Sequence, residues 1–350
     1  MNYALVPLEK IQENITKVIP ALMQKYHIPG LALALFKDER ILNLAFGLKN
    51  TQTNERVDTS TVFEGASLTK PLIGYAALKM CQQGLLSLDT PLRTYLVKPY
   101  RNDHPYLDTV TLRHVLLHTS GLPENHFAPD QTLTFDFAPV SKYGYSNAGF
   151  NYLAFVMEKL INVPIATYLK KEILQPLQMH NSSFIWEETF NNLAATGHNR
   201  KSEPVEKWKP HKVIGSCSLQ TTPNDFAKFM IAIMQPNAVN MLDEQIHAEK
   251  NIYSSLGWGI EKTPDGDIFY HAGNTVTFKS IALAYRNQSF GVVLMTNSIN
   301  GYNVIENILS ACVGGNHRDI VDFEECDLED EKIDAVGEAN LVKWWQLYGF

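Results

Sequence analysis

Apolar side chains at Ile11, Ile15, Val18, Ile19, Leu22 and Tyr26 recur at helical spacing, so the chain is expected to open with an amphipathic helix that Pro29 and Gly30 stop. The runs LALALF (31–36) and ILNLAFG (41–47), split by Lys37, Asp38, Glu39 and Arg40, predict a hairpin whose first strand is largely buried. A polar stretch, TQTNERVDTST, leads to VFEGASLTK and then PLIGYAALKMCQQG, a helical pattern too apolar for the surface, closed by Gly84 just past its C-cap. From about 85 to 215, helical segments alternate with long polar connections. VTLRHVLLHTSG is a short helix stopped by Thr119, Ser120 and Gly121, and Phe150, Leu153, Ala154, Met157 and Leu160 form one face of another helix after Asn147.

Thr222 is then an N-cap, with Pro223 at the first helical position, Asp225 at the third, and Phe226, Phe229, Met230 and Ile233 on the apolar face. Strand patterns return in LGWGIEKT, DIFYHAG, TFKSIALAYR and SFGVVLMTNS, with turns at Asp265-Gly266 and Asn287-Gln288. A helix carrying Val304, Ile305, Ile308 and Leu309 follows. These elements predict an α+β fold: one antiparallel sheet assembled from both chain ends, flanked by helices, around an inserted, mostly helical lobe.

Composition narrows the function. With 350 residues, 45% of them hydrophobic and 19% charged, the chain buries a sizeable core. Its formal charge of -7 and lack of a basic stripe argue against nucleic acid as a partner and favour a small molecule. Cysteines at 81, 217, 312 and 326 form no close pair, which excludes a Cys-x-x-Cys site. The eleven histidines supply no metal set: His114 and His118 are one helical turn apart without a third ligand, so no metal is expected. The first twenty residues have no basic n-region and no unbroken apolar core, and no run approaches the roughly 20 residues of a membrane span. A cytoplasmic protein is expected, or a periplasmic one if a leader has been removed. No nucleotide-binding glycine motif and no Gly-x-Ser-x-Gly elbow is present, so no cofactor is expected.

Three short segments carry candidate chemistry. Ser67-Leu68-Thr69-Lys70 places a hydroxyl and an amine at i and i+3 on the first turn of the apolar helix, near enough for the amine to take the hydroxyl proton if burial and a neighbouring cation make the lysine neutral. Tyr145-Ser146-Asn147 presents a phenol for proton relay and an amide for the lysine or a substrate carbonyl just before a helix. His271-Ala272-Gly273 ends a strand; its glycine lets backbone approach a ligand, and the N–H groups of Asn274 and Ser67 are a candidate oxyanion hole. Each motif alone also reads as ordinary structure: a core helix, a tyrosine packed on a helix, a histidine on a strand surface.

Taken in order, the three segments resemble the serine beta-lactamase-related superfamily, in the branch of class C beta-lactamases, DD-peptidases, D-aminopeptidases and esterases. The resemblance extends over about residues 10 to 310, includes VTLRHVLLHTSGLP, and implies a beta-lactamase/transpeptidase-like fold. It implies Ser67 as acylated nucleophile, Lys70 as its activator, Tyr145 as general acid/base, and Asn147, His271, Gly273 and Asn274 as substrate-binding. His-x-Gly in place of the Lys-Thr-Gly of class C lactamases counts against a dedicated lactamase. His118 fits a fold-supporting position. The expected catalytic body is 1–315, with a sheet lobe at about 1–65 and 216–315 and a helical lobe at about 66–215. Residues 316–350 form an acidic and aromatic extension ending near Trp344 and Trp345. The expected activity is a serine hydrolase of esters or D-amino-acid peptides; the alternatives are a beta-lactamase and a catalytically silent binding protein on the same fold.

Overall fold

The computed structural model describes residues 6–102, 104–124 and 132–325. Most of the acidic and aromatic C-terminal extension, including Trp344 and Trp345, lies outside them. In chain order the elements begin with α1 (Leu8–Tyr26), β1 (Gly30–Lys37), β2 (Arg40–Asn50), β3 (Glu55–Arg56), β4 (Phe63–Ala66) and α2 (Thr69–Gln82). The middle of the chain holds α3 (Leu112–Leu116), α4 (Asn147–Ile161), α5 (Ile165–Leu169) and α6 (Phe190–Leu193). Then come β5 (Leu219–Thr221), α7 (Pro223–Ile233), β6 (Ile246–Glu249), β7 (Ile252–Ser254), β8 (Gly259–Thr263), β9 (Gly266–Thr275), β10 (Phe278–Tyr285), β11 (Phe290–Thr296), α8 (Tyr302–Val313) and α9 (Arg318–Glu325).

The main sheet runs β3-β2-β1-β11-β10-β9-β8-β7-β6 and is antiparallel throughout. The two chain ends meet where β1 pairs with β11, Leu33 opposite Leu294. Both faces of the central strands are covered, which explains why LALALF has no polar alternation. Leu31, Leu33 and Leu35 pack with Ile15 and Ile19 of α1 and Ile305 and Ile308 of α8. Ala32, Ala34 and Phe36 face the other way, into a core shared with α2, α4 and α7. Strand side chains alternate sides, so one apolar run serves two cores.

Local signals set the helix ends. The Thr222 hydroxyl accepts from the Asp225 N–H at 3.1 Å, with Pro223 in the first turn. Gly84, at φ 72°, follows the C-cap Gln83, and the Leu85 N–H donates to Met80 O at 2.9 Å. The sheet is wider than the six strands expected, because β3 adds to one edge and the short segments 246–249 and 252–254 add a hairpin at the other. A second, two-stranded sheet pairs β4 with β5 and brings residues 63–66 against 219–221. No helix among the described residues is long and apolar enough to cross a membrane.

Ile15 has no exposed surface and sits at the centre of the core beneath α1. Ile15→Ala should lower unfolding stability by about 2–5 kcal/mol, read in urea titration as a fall in midpoint with an unchanged slope.

Candidate active site

Ser67 sits in the turn between β4 and α2. The helix itself begins at Thr69, so Ser67 precedes the first turn instead of lying on it. The difference arises at Ala66, which adopts the left-handed region at φ 49° and swings the chain out of β4. The turn closes through Leu68 N–H to Gly65 O (3.0 Å) and Lys70 N–H to Ser67 O (2.9 Å). Thr69 locks it from below: its hydroxyl donates to Ala66 O at 2.6 Å and accepts from the Leu219 N–H of β5 at 2.9 Å.

Lys70 is fully buried, and its Nζ lies 2.9 Å from Ser67 Oγ and 3.0 Å from Ser216 O. Burying a lysine this completely costs free energy unless its N–H groups find acceptors, and these two oxygens are acceptors. The Ser216 carbonyl is itself held, because the Ser216 N–H donates to Asn151 Oδ1 of α4 at 3.0 Å. Gly215 makes this approach feasible: a Cβ there would lie 2.3 Å from Phe150 O. The contributions of Ser216 and Asn151 escape sequence reasoning, since one acts through its backbone and the other is a single amide on a helix face.

Tyr145 joins the same cluster, with Lys70 Nζ 4.7 Å from its ring centroid. His118 stacks on the tyrosine ring at 4.5 Å and 25°, and its Nδ1 accepts the Ser146 N–H at 3.0 Å. Burial first, and then the like charge that Lys70 carries when protonated, hold the His118 imidazole well below the ordinary histidine range, so it is neutral. Its place is that of a support for Tyr145. Asn147 is the first residue of α4, half-buried, after an N-cap in which the Ser146 hydroxyl accepts from the Gly149 N–H at 2.9 Å.

His271 faces the cluster from β9, its ring 6.5 Å from that of Tyr145. Burial, then the charge of Lys70, push it down to about 3, against the weaker pull of the Ala272 carbonyl 2.7 Å from Nδ1. A carbonyl only accepts, so Nδ1 carries the proton and Nε2 offers a lone pair. Gly273 is required by contact: a Cβ would lie 2.4 Å from Gly65 O and 2.3 Å from Ser280 Oγ. That contact lays β9 against β4, the strand that leads into the Ser67 turn. The Asn274 side chain goes to the opposite face of β9, where Oδ1 accepts from Lys279 Nζ, so only its backbone is placed for the cleft.

Beside Tyr145 and His271 runs a narrow cleft walled by Tyr143, Tyr253, Trp258 and Tyr270, with no ionised side chain among its lining residues. Behind Ser67, Glu64 of β4 is buried; burial pushes its carboxyl up to about 8, and the Thr275 hydroxyl pulls more weakly the other way. Among the described residues no group of three metal-ligating side chains comes together.

A sequence model of the beta-lactamase family matches residues 15–310. Protein flp of Staphylococcus aureus strain N315 is 24% identical over 320 residues, which cover 83% of this chain and 64% of that protein, so the chain spans less than two thirds of that relative's length. A beta-lactamase of Yersinia enterocolitica is 24% identical over 291 residues, covering 76% of this chain and 74% of its own. Similar solved structures include a class C beta-lactamase (TM-score 0.76, 22% identity, 90% of this chain and 100% of that one). A D-alanine carboxypeptidase AmpC from Burkholderia cenocepacia gives 0.75 at 19% identity, over 87% and 100%. These structural likenesses show the fold.

Glu64 makes stability depend on pH with a definite sign. The folded state keeps a proton up to about pH 8 that the unfolded chain gives up near its ordinary 4.5. This contribution is complete below that lower value and is lost as pH rises through the higher one. Buried His118 and His271 act oppositely, losing stability as pH falls below 6.5. Glu64→Gln should therefore reduce the drop in unfolding free energy between pH 5 and pH 8 by a few kcal/mol. Urea titrations of both proteins at the two pH values measure it, with the histidines common to both; an equal drop would contradict the assignment.

Proposed function

Since the chain belongs to the beta-lactamase family, we propose that it is a serine hydrolase that attacks ester or amide carbonyls through a Ser67 acyl-enzyme. The observation that carries this reading is the 2.9 Å contact between Ser67 Oγ and the fully buried Lys70 Nζ. When Lys70 is deprotonated, its amine takes the Ser67 proton as Oγ bonds to the carbonyl carbon. Negative charge then develops on the carbonyl oxygen between the backbone N–H groups of Ser67 and Asn274. Tyr145, against the lysine, passes the proton to the leaving group as its bond to carbon breaks. Water, losing its proton to the same pair, releases the acid and restores Ser67. Asn147 and His271 orient the substrate, His271 as an uncharged acceptor through Nε2.

Small acyl esters and D-amino-acid peptides are the substrates we favour. The His271-Ala272-Gly273 strand end puts a neutral histidine where a lactamase of class C carries the lysine of its Lys-Thr-Gly motif, and the adjoining cleft is walled by uncharged aromatic residues. A beta-lactam is a strained acyl donor and would acylate the same serine.

A fluorophosphonate should add one equivalent to the protein by intact mass, and Ser67→Ala should abolish the adduct. Lys70→Met should slow labelling and turnover about 10²- to 10⁴-fold. A panel of esters, D-peptides and beta-lactams ranks the substrates. A folded protein that neither labels nor turns over any of them would favour a silent binding protein on this fold.

A further inference from the structure

In the buried strand β10, Lys279 points its side chain to the α8 face of the sheet, opposite the face on which Gly273 meets β4, and is 4% exposed. Its Nζ donates to Asn274 Oδ1, to Thr275 O at 3.0 Å and to Val276 O at 3.3 Å, and lies 5.6 Å from the ring centroid of Tyr302. Its own carbonyl accepts from the Thr296 hydroxyl at 3.2 Å, and a Cβ on Gly301 would lie 2.7 Å from its Cβ, so the stem is confined as well as the head. An ammonium in such a place is expensive for a fold, and an apolar residue would fill a strand position at lower cost. These three oxygens belong to one short segment, the end of β9 and its turn into β10.

We propose that Lys279 is a positioning residue for the candidate oxyanion strand: it grips the Asn274–Val276 segment from behind and thereby fixes the Asn274 N–H relative to Ser67. The reasoning combines two contacts on opposite faces of one strand end. On the cleft face Gly273 touches Gly65, two residues before Ser67. On the far face Lys279 holds the three residues that follow. A strand end held on one side only is free to rock, and a displacement of about 1 Å at a reacting centre costs on the order of 100-fold in rate. This role rests on the Ser67 hydrolase reading, and its test separates the two.

The test compares wild-type protein with Lys279→Met and Lys279→Gln; the glutamine keeps two N–H donors without the charge and serves if the methionine variant fails to fold. Amide hydrogen exchange over residues 273–277 should quicken in the methionine variant while α1 and α8 keep their protection. In folded variants the rate of Ser67 phosphonylation and kcat for an ester should fall about 10- to 100-fold for methionine and less for glutamine. KM and the shape of the pH profile should be retained. Asn274→Ala added to Lys279→Met should cost little more, because both remove the same grip. Unchanged exchange in 273–277 overturns the grip, and faster exchange with wild-type phosphonylation and kcat overturns the positioning role. If wild-type protein is neither labelled nor active, the hydrolase reading fails and the oxyanion role with it, while exchange still decides whether Lys279 holds the strand.

Discussion

A buried lysine amine beside a serine hydroxyl is the constraint on which the rest of the site depends. Lys70 has no exposed surface, so its N–H groups must be met by protein oxygens, and the chain supplies Ser67 Oγ and Ser216 O. Meeting that demand draws in three separate stretches: the left-handed turn at Ala66, the 214–218 loop held by Asn151, and the Tyr145 ring supported by His118. The neighbours most able to upset the balance are kept uncharged. His118 and His271 are held neutral by burial, and Glu64 keeps its proton up to about pH 8.

The sheet places these pieces by lying between two cores. One face is covered by α1 and α8, the other by the helices that carry Lys70, Tyr152 and Phe229. β9 therefore passes through the middle of the molecule and delivers His271 and Gly273 to the helical side while Asn274 turns its side chain to the other. The small β4–β5 sheet then joins the Ser67 turn to the chain just before α7.

Much of this was legible in the sequence because it rests on local rules. The Thr222 cap, the Gly84 stop, the hairpin around Asp38 and the Ser-x-x-Lys, Tyr-x-Asn and His-x-Gly segments are each set by neighbours a few residues apart. What was not legible depends on contacts between distant segments. β4 and β5 pair through only a few residues each, too short for an alternating pattern to show. Ser216 contributes a carbonyl, which any residue has. Glu64 and Lys279 look like ordinary charges in strands, and only the elements that bury them give them meaning. The side of β9 on which Asn274 lies follows from strand register, and β10 with its lysine fixes it.

The join between β1 and β11 bears on how the molecule is made. Leu33 finds its partner Leu294 only after most of the chain has left the ribosome. Until then β1 has only β2 beside it, and its other edge has no partner strand. Contacts of such sequence separation slow folding and leave an interval in which that edge is open to pairing with another chain. The join that closes the sheet is thus among the last contacts the growing chain can make.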